Sequence, residues 1–269
     1  MTGSLVVCPT PIGNLEDITL RVLAALRSAD VVACEDTRHT RVLLDRHGIA
    51  ARTVSYHEHN EASRAAELVG RMQAGETVAL VSDAGTPLVN DPGFLLVQAC
   101  VAAGVGVEVL PGPSAALTAL VVSGLPATTW RFVGFLPRKR GELETLFRGA
   151  GETLVAFESP RRVGASLAAL AAVDPGRPVA VCRELTKLHE EVVRGTAGEL
   201  AERYAGDAPR GEIVVVVGGA AAEAVDLAPA LDALVRLVDA GAKARPAAGV
   251  VADLTGVPAN ALYKALLER

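Results

Sequence analysis

The sequence predicts an α/β protein with a parallel sheet in its N-terminal half, a mixed sheet in its C-terminal half and a small helical extension. Short apolar segments alternate with amphipathic segments of helical period over about 220 residues. Three apolar segments, at 5–8, 78–81 and 107–110, run directly into loops rich in Gly and Pro. Beyond residue 221 only helical patterns occur. Such alternation favours a parallel sheet covered by helices on both faces.

Five strand–helix units are predicted in the N-terminal half. The first helix is indicated by apolar residues at helical spacing, such as Val22 and Leu26. Gly48 ends the second helix, while Asn60 and Gly75 bound the third as N-cap and stop signal. The predicted elements are strand 4–8, helix 17–28, strand 31–34, helix 38–47, strand 53–56, helix 61–73, strand 77–81, helix 93–103, strand 106–110 and helix 113–122.

The segment 124–128 (GLPAT) predicts a hinge, which divides the chain into domains at 1–124 and 125–220. The extension, 221–269, contains an amphipathic helix at 227–238 and two shorter helices split at 256–258. It is either a helix-turn-helix-like unit or a set of helices docked on the second domain. The second domain is predicted to contain strand 131–135, helix 141–149, strand 153–157, helix 160–172, strand 178–182, strand 191–195, a short helix and strand 212–217.

Composition indicates a cytoplasmic protein without a membrane span, a metal site or disulfides. No apolar run reaches the roughly 18 residues that a membrane-spanning helix needs. The first residues lack the basic and apolar regions of a signal peptide. The cysteines are widely spaced, form no C-x-x-C pair and are interpreted as buried thiols. They are Cys8, Cys34, Cys100 and Cys182.

The charge distribution excludes a polybasic nucleic-acid binder. Residues 1–127 carry 8 basic and 13 acidic side chains, whereas residues 128–220 carry 13 and 12. Basic residues cluster only locally, at 138–140 and 161–162, either as solvated patches or as contacts to an anionic substrate.

Familiar nucleotide, zinc and nucleophile motifs are absent from the sequence. It contains no G-x-G-x-x-G after the first strand, no P-loop, no H-E-x-x-H and no G-x-S-x-G. Residues 90–94 (NDPGF) are interpreted as a turn. The Gly- and Pro-rich loops instead suggest a neutral or zwitterionic ligand held by backbone groups, which Gly allows to approach closely.

Three of these loops resemble the signature loops of the tetrapyrrole (corrin/porphyrin) methylase family. They are PTPIGNLEDI at 9–18, SDAGTP at 82–87 and PGPSA at 111–115. The resemblance covers about residues 4–218. It implies S-adenosylmethionine as cofactor and two α/β domains with the cofactor in the cleft between them.

Four further segments resemble one branch of that family, whose members methylate the ribose 2′-oxygen of a cytidine in small-subunit (16S) ribosomal RNA. The segments are CEDTRHT at 34–40, FLPRK at 135–139, FESPRR at 157–162 and CRELTK at 182–187. The resemblance also implies a homodimer. Two other functions stay open: a methylase acting on a tetrapyrrole, and a non-catalytic RNA-binding protein that retains the fold.

The resemblance implies a set of cofactor-binding residues on the loops and on the second domain. For Asp83 and Ser114 the alternative is that they only cap the helices that follow. The implied residues are Pro11, Gly13, Asp83, Leu88, Val89, Ser114, Ala115 and Phe157.

Methyl transfer to a hydroxyl needs a base, or a positive charge that favours the alkoxide. Glu35 and Asp36 follow the second strand, and Glu184 and Lys187 follow the strand at 178–182. One of these carboxylates is the predicted base, or Lys187 polarises the 2′-oxygen. The alternative is that Glu35, Asp36 and Arg38 form an ion-pair network.

Contacts to RNA are assigned to exposed basic residues that bind phosphates without reading bases. Because aromatic residues make up only 3% of the chain, extensive base stacking is not expected. Recognition by shape, of RNA already assembled in the small subunit, fits the near-neutral charge. The predicted contacts are Arg38, Arg41, Arg138, Lys139, Arg140, Arg161 and Arg162.

Overall fold

The computed structural model describes residues 3–206, 208–220 and 227–268. These residues form two compact units, one ending at Gly219 and one beginning at Ala220. None of the described helices is both long and apolar enough to cross a membrane. The four cysteines are buried free thiols.

The N-terminal sheet of the first unit is wholly parallel, with strand order β3-β2-β4-β1-β5. A helix follows each strand, as the alternating pattern predicts. The elements are β1 (Ser4–Val7), α1 (Leu20–Ser28), β2 (Val31–Cys34), α2 (Thr37–Arg46), β3 (Thr53–Ser55), α3 (Glu61–Gln73), β4 (Val78–Leu80), α4 (Phe94–Ala102), β5 (Gly106–Val109) and α5 (Ala115–Ser123).

Both faces of this sheet are buried because every central strand is apolar on both sides. Leu68 and Leu96, from α3 and α4, belong to the core on one face. Val22 and Leu44, from α1 and α2, belong to the core on the other. Each such fully buried side chain contributes roughly 1.5–3 kcal/mol relative to exposure.

The second sheet is mixed, with order β6-β7-β10-β8-β9. Only β6 and β7 pair in parallel; the other neighbours are antiparallel. A capping box formed by Thr196 and Glu199 begins α8. The elements are β6 (Trp130–Phe135), α6 (Arg140–Arg148), β7 (Thr153–Glu158), α7 (Val163–Val173), β8 (Pro178–Arg183), β9 (Glu191–Thr196), α8 (Ala197–Arg203) and β10 (Ile213–Val217).

Helix α5 joins the two sheets within one compact unit. Its Ala119 and Leu120 pack in the same core as Val155, Ala180 and Val216 of the second sheet. The predicted class, one parallel and one mixed sheet, is confirmed. The predicted division at residue 125 falls directly after this shared helix and stays a prediction.

The described residues of the second unit form three packed helices, α9 (Leu227–Asp239), α10 (Ala244–Thr255) and α11 (Ala259–Leu267). Leu234, Val251 and Leu262 form its core. Gly256 ends α10 in the left-handed conformation, at φ 74°. The predicted start of the extension, at 221, lies outside the described residues.

Candidate active site

A cavity of about 420 Å³ lies between the loops of the parallel sheet and the second sheet. The loops after β4 and β5 form one wall, and residues of β6, β7, β8 and β10 form the other. The carboxyl edge of a parallel sheet is where ligands bind in open α/β folds. The charged and aromatic lining side chains are Asp83, Asp91, Phe135, Phe157, Glu158 and Glu212.

Hydrogen bonds join the three Gly- and Pro-rich loops to one another. The backbone of Thr10 exchanges two hydrogen bonds with that of Gly85, at 2.8 and 3.0 Å. The Thr10 hydroxyl also donates to the carbonyl of Ser82 at 3.0 Å. The Thr86 hydroxyl donates to the carbonyl of Pro113, likewise at 3.0 Å. The three loops therefore form one rigid wall.

The loop after β4 is held in an unusual conformation against the second sheet. Leu88 and Asn90 have positive φ angles, 72° and 67°. Gly134 also has φ 67°, and a Cβ atom there would lie 2.8 Å from Oδ1 of Asn90. Only glycine allows β6 to approach the loop this closely. Asn90 and Gly134 thus bring the two walls together at one side of the cavity.

Five of the eight residues predicted to bind the cofactor line the cavity: Asp83, Val89, Ser114, Ala115 and Phe157. Pro11, Gly13 and Leu88 do not line it. Leu88 packs against the core of the parallel sheet, and Pro11 is buried.

Ser114 both lines the cavity and caps a helix. Its hydroxyl accepts a hydrogen bond from the backbone N–H of Leu117 at the start of α5. Asp83 does not cap the helix that follows it. Its Oδ1 accepts from the backbone N–H of Asp36 at 3.1 Å, which ties the loop after β4 to the loop after β2.

Aromatic side chains form the apolar part of the cavity. The Phe157 ring meets Phe132 and Phe135 edge to face, with centroids 5.0 and 5.7 Å apart. Phe135 is 58% exposed although it lines the cavity. An exposed aromatic face beside polar loops suits a planar aromatic ring of a ligand.

Glu184, Lys187 and Glu212, here called the paired group, lie beside the cavity. The ammonium of Lys187 donates to Glu184 at 3.0 Å and to Glu212 at 2.9 Å. Partial burial alone lowers the pKa of Lys187, but hydrogen bonds to Glu212 and Glu184 outweigh it and raise the pKa. Hydrogen bonds from the Glu212 backbone and from Lys187 lower the pKa of Glu184. At neutral pH Lys187 is therefore protonated and Glu184 ionised, so neither is suited to accept a proton.

The loop that carries Lys187 is fixed against the first loop of the chain. Glu184 and Thr186 adopt left-handed conformations, at φ 50° and 67°, which non-glycine residues rarely do. The Thr186 hydroxyl accepts from the backbone N–H of Asn14 at 3.1 Å. A Cβ atom on Gly13 would lie 2.5 Å from Cγ of Lys187. Gly13 thus positions the lysine loop rather than lining the cavity.

Glu35, Asp83 and Asp91, here called the acidic group, carry like charges at the carboxyl edge of the parallel sheet. Burial, followed by the negative charge of Asp83, raises the pKa of Glu35. Burial, followed by the charges of Glu35 and Asp83, raises the pKa of Asp91 to about 6. Of the three, Asp83 and Asp91 line the cavity.

Asp36 has a structural position that makes it unsuited to act as a base. It is the N-cap of α2, where its carboxylate accepts from the backbone N–H of Arg38 at 2.8 Å. Its ion pair with the Arg38 guanidinium, also at 2.8 Å, holds the pKa of Asp36 below its usual range. Of the alternative ion-pair network of Glu35, Asp36 and Arg38, the pair of Asp36 with Arg38 is present, whereas Glu35 makes no ion pair within the described part of the chain.

Six of the seven predicted substrate-binding residues are exposed, and they differ in their ion pairs. Arg41, Arg138 and Arg161 are exposed and make no ion pair with any described residue. Lys139 and Arg140 are exposed but paired with the carboxylates of Glu142 and Glu144, at 3.0 and 2.9 Å. Arg38, as above, is exposed and paired with Asp36.

Arg162 is an exception to the predicted phosphate contacts, because its guanidinium is bound within the protein. Its guanidinium donates to the carbonyls of Leu136 and Pro137, at 2.9 and 2.8 Å. It also pairs with the buried Glu158 at 3.2 Å. Because all these partners belong to the protein, Arg162 fixes the loop after β6.

Asp91, Phe135 and Glu212 are among the lining residues that were absent from the predicted site. Asp91 lies in the segment interpreted as a turn, and its Asp-Pro-Gly sequence gives no hint of burial. Phe135 ends β6 within a segment that carried the family resemblance. Glu212 precedes β10, and only the antiparallel pairing of β10 with β8 places it beside Lys187.

Comparisons with known proteins agree with the resemblance of the loops. The family model of the tetrapyrrole (corrin/porphyrin) methylases matches residues 4–201. The chain is 50% identical to ribosomal RNA small subunit methyltransferase I of Mesorhizobium japonicum, over 98% of this chain and 92% of that protein. It is 45% identical to the protein of the same name from Escherichia coli O157:H7, over 99% and 96%.

Solved structures share the fold at lower identity. Uroporphyrin-III C-methyltransferase from Thermus thermophilus, complexed with S-adenyl homocysteine, superposes with a TM-score of 0.55 at 22% identity. The match covers 80% of this chain and 97% of that one. Together with the match over residues 4–201, these relatives confirm the resemblance: the chain belongs to the tetrapyrrole (corrin/porphyrin) methylase family.

Proposed function

We propose that the protein transfers a methyl group from S-adenosylmethionine to the ribose 2′-oxygen of a cytidine in 16S ribosomal RNA. The main support is the identity of 50% and 45%, over nearly the whole chain, to two ribosomal RNA small subunit methyltransferases I. The cytidine and the 2′-oxygen are supported by the segments at 34–40, 135–139, 157–162 and 182–187, which resemble that branch of the family.

The cavity fits S-adenosylmethionine in size and in chemistry. Its volume of about 420 Å³ falls within the usual range for small-molecule sites. Phe135 and Phe157 offer an aromatic surface for the adenine, and the loops that contain Asp83 and Ser114 offer polar groups for the ribose and the amino acid moiety. The Thermus thermophilus relative of the same fold holds the corresponding homocysteine product.

The donor supplies an activated methyl group, so the protein must position the acceptor and stabilise developing charge. Lys187 remains protonated between Glu184 and Glu212, and Glu212 lines the cavity. A fixed positive charge at this position favours negative charge on a ribose oxygen. The phenylalanine rings exclude water from the same space.

The exposed arginines support an RNA substrate. Arg161 follows Pro160, which lines the cavity, and Arg138 lies on the loop that Arg162 fixes. Both are exposed and unpaired with any described carboxylate, so their guanidinium groups can bind phosphates near the cavity. We place the enzyme in the cytoplasm and take RNA within the assembled small subunit as its substrate.

A homodimer is proposed from exposed apolar side chains on the edge strand β5 and on helix α5. Val109 on the edge strand β5 is 60% exposed, and Leu117 and Val121 on α5 are 50% and 78% exposed. An exposed edge strand beside apolar side chains is commonly covered by another chain. Sedimentation equilibrium tests this: wild type should be a dimer, and the L117E/V121E variant a monomer.

The function is tested by transfer of labelled methyl from S-adenosylmethionine to small ribosomal subunits that lack the modification. Naked 16S RNA and a tetrapyrrole precursor serve as alternative acceptors. Label on the subunit RNA supports the proposal. Label on the tetrapyrrole overturns the substrate, and bound S-adenosylmethionine without transfer to any acceptor favours a binding role.

A further inference from the structure

We propose that Asp91 is the catalytic base that accepts the proton of the ribose 2′-hydroxyl. The assignment rests on the proposed function and names a residue within that site. Four carboxylates line the cavity, and they differ in the hydrogen bonds they already make. They are Asp83, Asp91, Glu158 and Glu212.

Two of these carboxylates are bound by cations of the protein. Glu158 is buried, accepts from the hydroxyl of Ser166 and pairs with Arg162 at 3.2 Å. Glu212 accepts from Lys187 at 2.9 Å. A carboxylate bound by an ammonium or a guanidinium is a weak base, because protonation would break the ion pair.

The other two carboxylates lie on the loop after β4. Asp83 accepts from the backbone N–H of Asp36, which holds its side chain toward the loop after β2. Asp91 has no ion-pair partner among the described residues, and the neighbouring hydroxyl of Ser82 acts to lower its pKa. Asp91 is therefore the lining carboxylate with the most accepting capacity left for a substrate.

Neighbouring charges favour proton acceptance by Asp91. Burial, followed by the charges of Glu35 and Asp83 on the loops after β2 and β4, raises its pKa to about 6. The charge of His57, after β3, acts in the opposite direction on Glu35, whereas Asp36 raises the pKa of Glu35 further. A base with a pKa near 6 is ionised at neutral pH and still more basic than an ordinary aspartate.

The backbone around Asp91 fixes the position of the carboxylate. It lies between Asn90, at φ 67°, and Pro92, and Gly93 follows at φ 142°. Proline restricts the chain, and Asn90 contacts Gly134 across the cavity. Such a loop holds a catalytic group in place before the substrate arrives.

The proton transfer balances with methyl transfer in one step. The 2′-hydroxyl loses its proton to a carboxylate oxygen of Asp91 as the 2′-oxygen forms its bond to the methyl carbon. The methyl–sulfur bond breaks and leaves its electron pair on sulfur, which becomes a neutral thioether. Lys187 and Asp91 then have separate roles, the first stabilising charge on oxygen and the second accepting the proton.

The variant Asp91→Asn tests the assignment by activity, affinity and stability together. Methyl transfer to subunits should slow by roughly 10²–10⁴-fold, while the Kd for S-adenosylmethionine, measured by calorimetry, stays unchanged. Below the pKa of about 6, the wild-type rate should fall with pH as expected when one proton binds to the base. The matched control is Asp45→Asn, an exposed position on α2, which should leave the rate unchanged.

The Tm of Asp91→Asn distinguishes a catalytic role from a structural one, because the two roles predict changes in Tm of opposite sign. Because the folded state raises the pKa of Asp91, its ionised form destabilises the fold above pH 6. Asp91→Asn should therefore raise the Tm at pH 7.5 by about 2–4 °C, and the difference should shrink as the pH falls from 6 towards 4. A lower Tm would indicate a structural residue.

Two outcomes overturn the assignment without affecting the proposed function. In the first, Asp91→Asn transfers methyl at the wild-type rate. In the second, it loses affinity for S-adenosylmethionine and keeps its rate at saturation, which makes Asp91 a cofactor ligand. Failure of the wild type to methylate subunits would instead overturn the proposed function.

Discussion

The cavity is bordered by two charged groups that differ in how their charges are balanced. In the acidic group, Glu35, Asp83 and Asp91 make no ion pair with any described residue, and the pKa values of Glu35 and Asp91 are raised. In the paired group, Lys187 is held between Glu184 and Glu212, and every resolved shift favours the charged form. Like charges under partial burial prepare a carboxylate to accept a proton, whereas paired charges hold a lysine in its protonated state.

The largest effect in the paired group is expected from Lys187→Met. Loss of a fixed positive charge beside a developing oxyanion typically lowers kcat by about 10²–10³-fold. Single-turnover methyl transfer at saturating S-adenosylmethionine measures it. Lys187→Arg is the matched control, since it keeps the charge and should retain more activity than Lys187→Met. Equal activity of Lys187→Met and wild type would remove the paired group from catalysis.

A smaller effect, visible only as a shift in pH dependence, is expected from Glu35→Gln. Removing one negative neighbour should lower the pKa of Asp91, so the acidic limb of kcat/KM should move to lower pH by up to about one unit. The rate at pH 8 should change little. The control Glu58→Gln, exposed after β3, should leave the profile in place.

Glu35→Gln also separates two bases. If Glu35→Gln loses its activity at pH 8 while Asp91→Asn remains active, then Glu35 is the base and Asp91 is its charged neighbour.

The smallest effect is expected from Asp36→Ala, at the margin of the acidic group. Asp36 caps α2 and pairs with Arg38 at the surface, so its loss should lower the Tm slightly and leave kcat near wild type. A thermal melt and the methyl-transfer assay measure the two quantities. A large loss of kcat with an unchanged Tm would contradict the structural role and return Asp36 to the candidate bases.

Much of the fold could be predicted from the sequence because local patterns determine it. The central strands β1, β2 and β4 are almost wholly apolar, and Gly and Pro mark the loops that follow β1 and β4. The starts of the helices were predicted less accurately. The helix predicted at 160–172 begins at Val163, because Pro160 and the ion pair of Arg162 hold the preceding residues in a turn.

The site could be predicted only where its residues lie in or beside the segments that resemble the family. Asp83, Ser114 and Phe157 line the cavity as the family resemblance implies. Asp91 and Glu212 could not be found this way, since their importance comes from burial and from contacts between distant segments. The same holds for Arg162. Its sequence context resembles that of the exposed Arg161, but its hydrogen-bond partners belong to the distant loop after β6.

The most direct test of the account is the chemical identity of the methylated nucleoside. Subunits treated with the enzyme and labelled S-adenosylmethionine are digested to nucleosides, which are separated and identified by mass spectrometry. We predict label in 2′-O-methylcytidine alone, at one position of the 16S RNA. Label in a cytidine methylated on the base would contradict it, because neither Lys187 nor Asp91 would then act on a ribose oxygen.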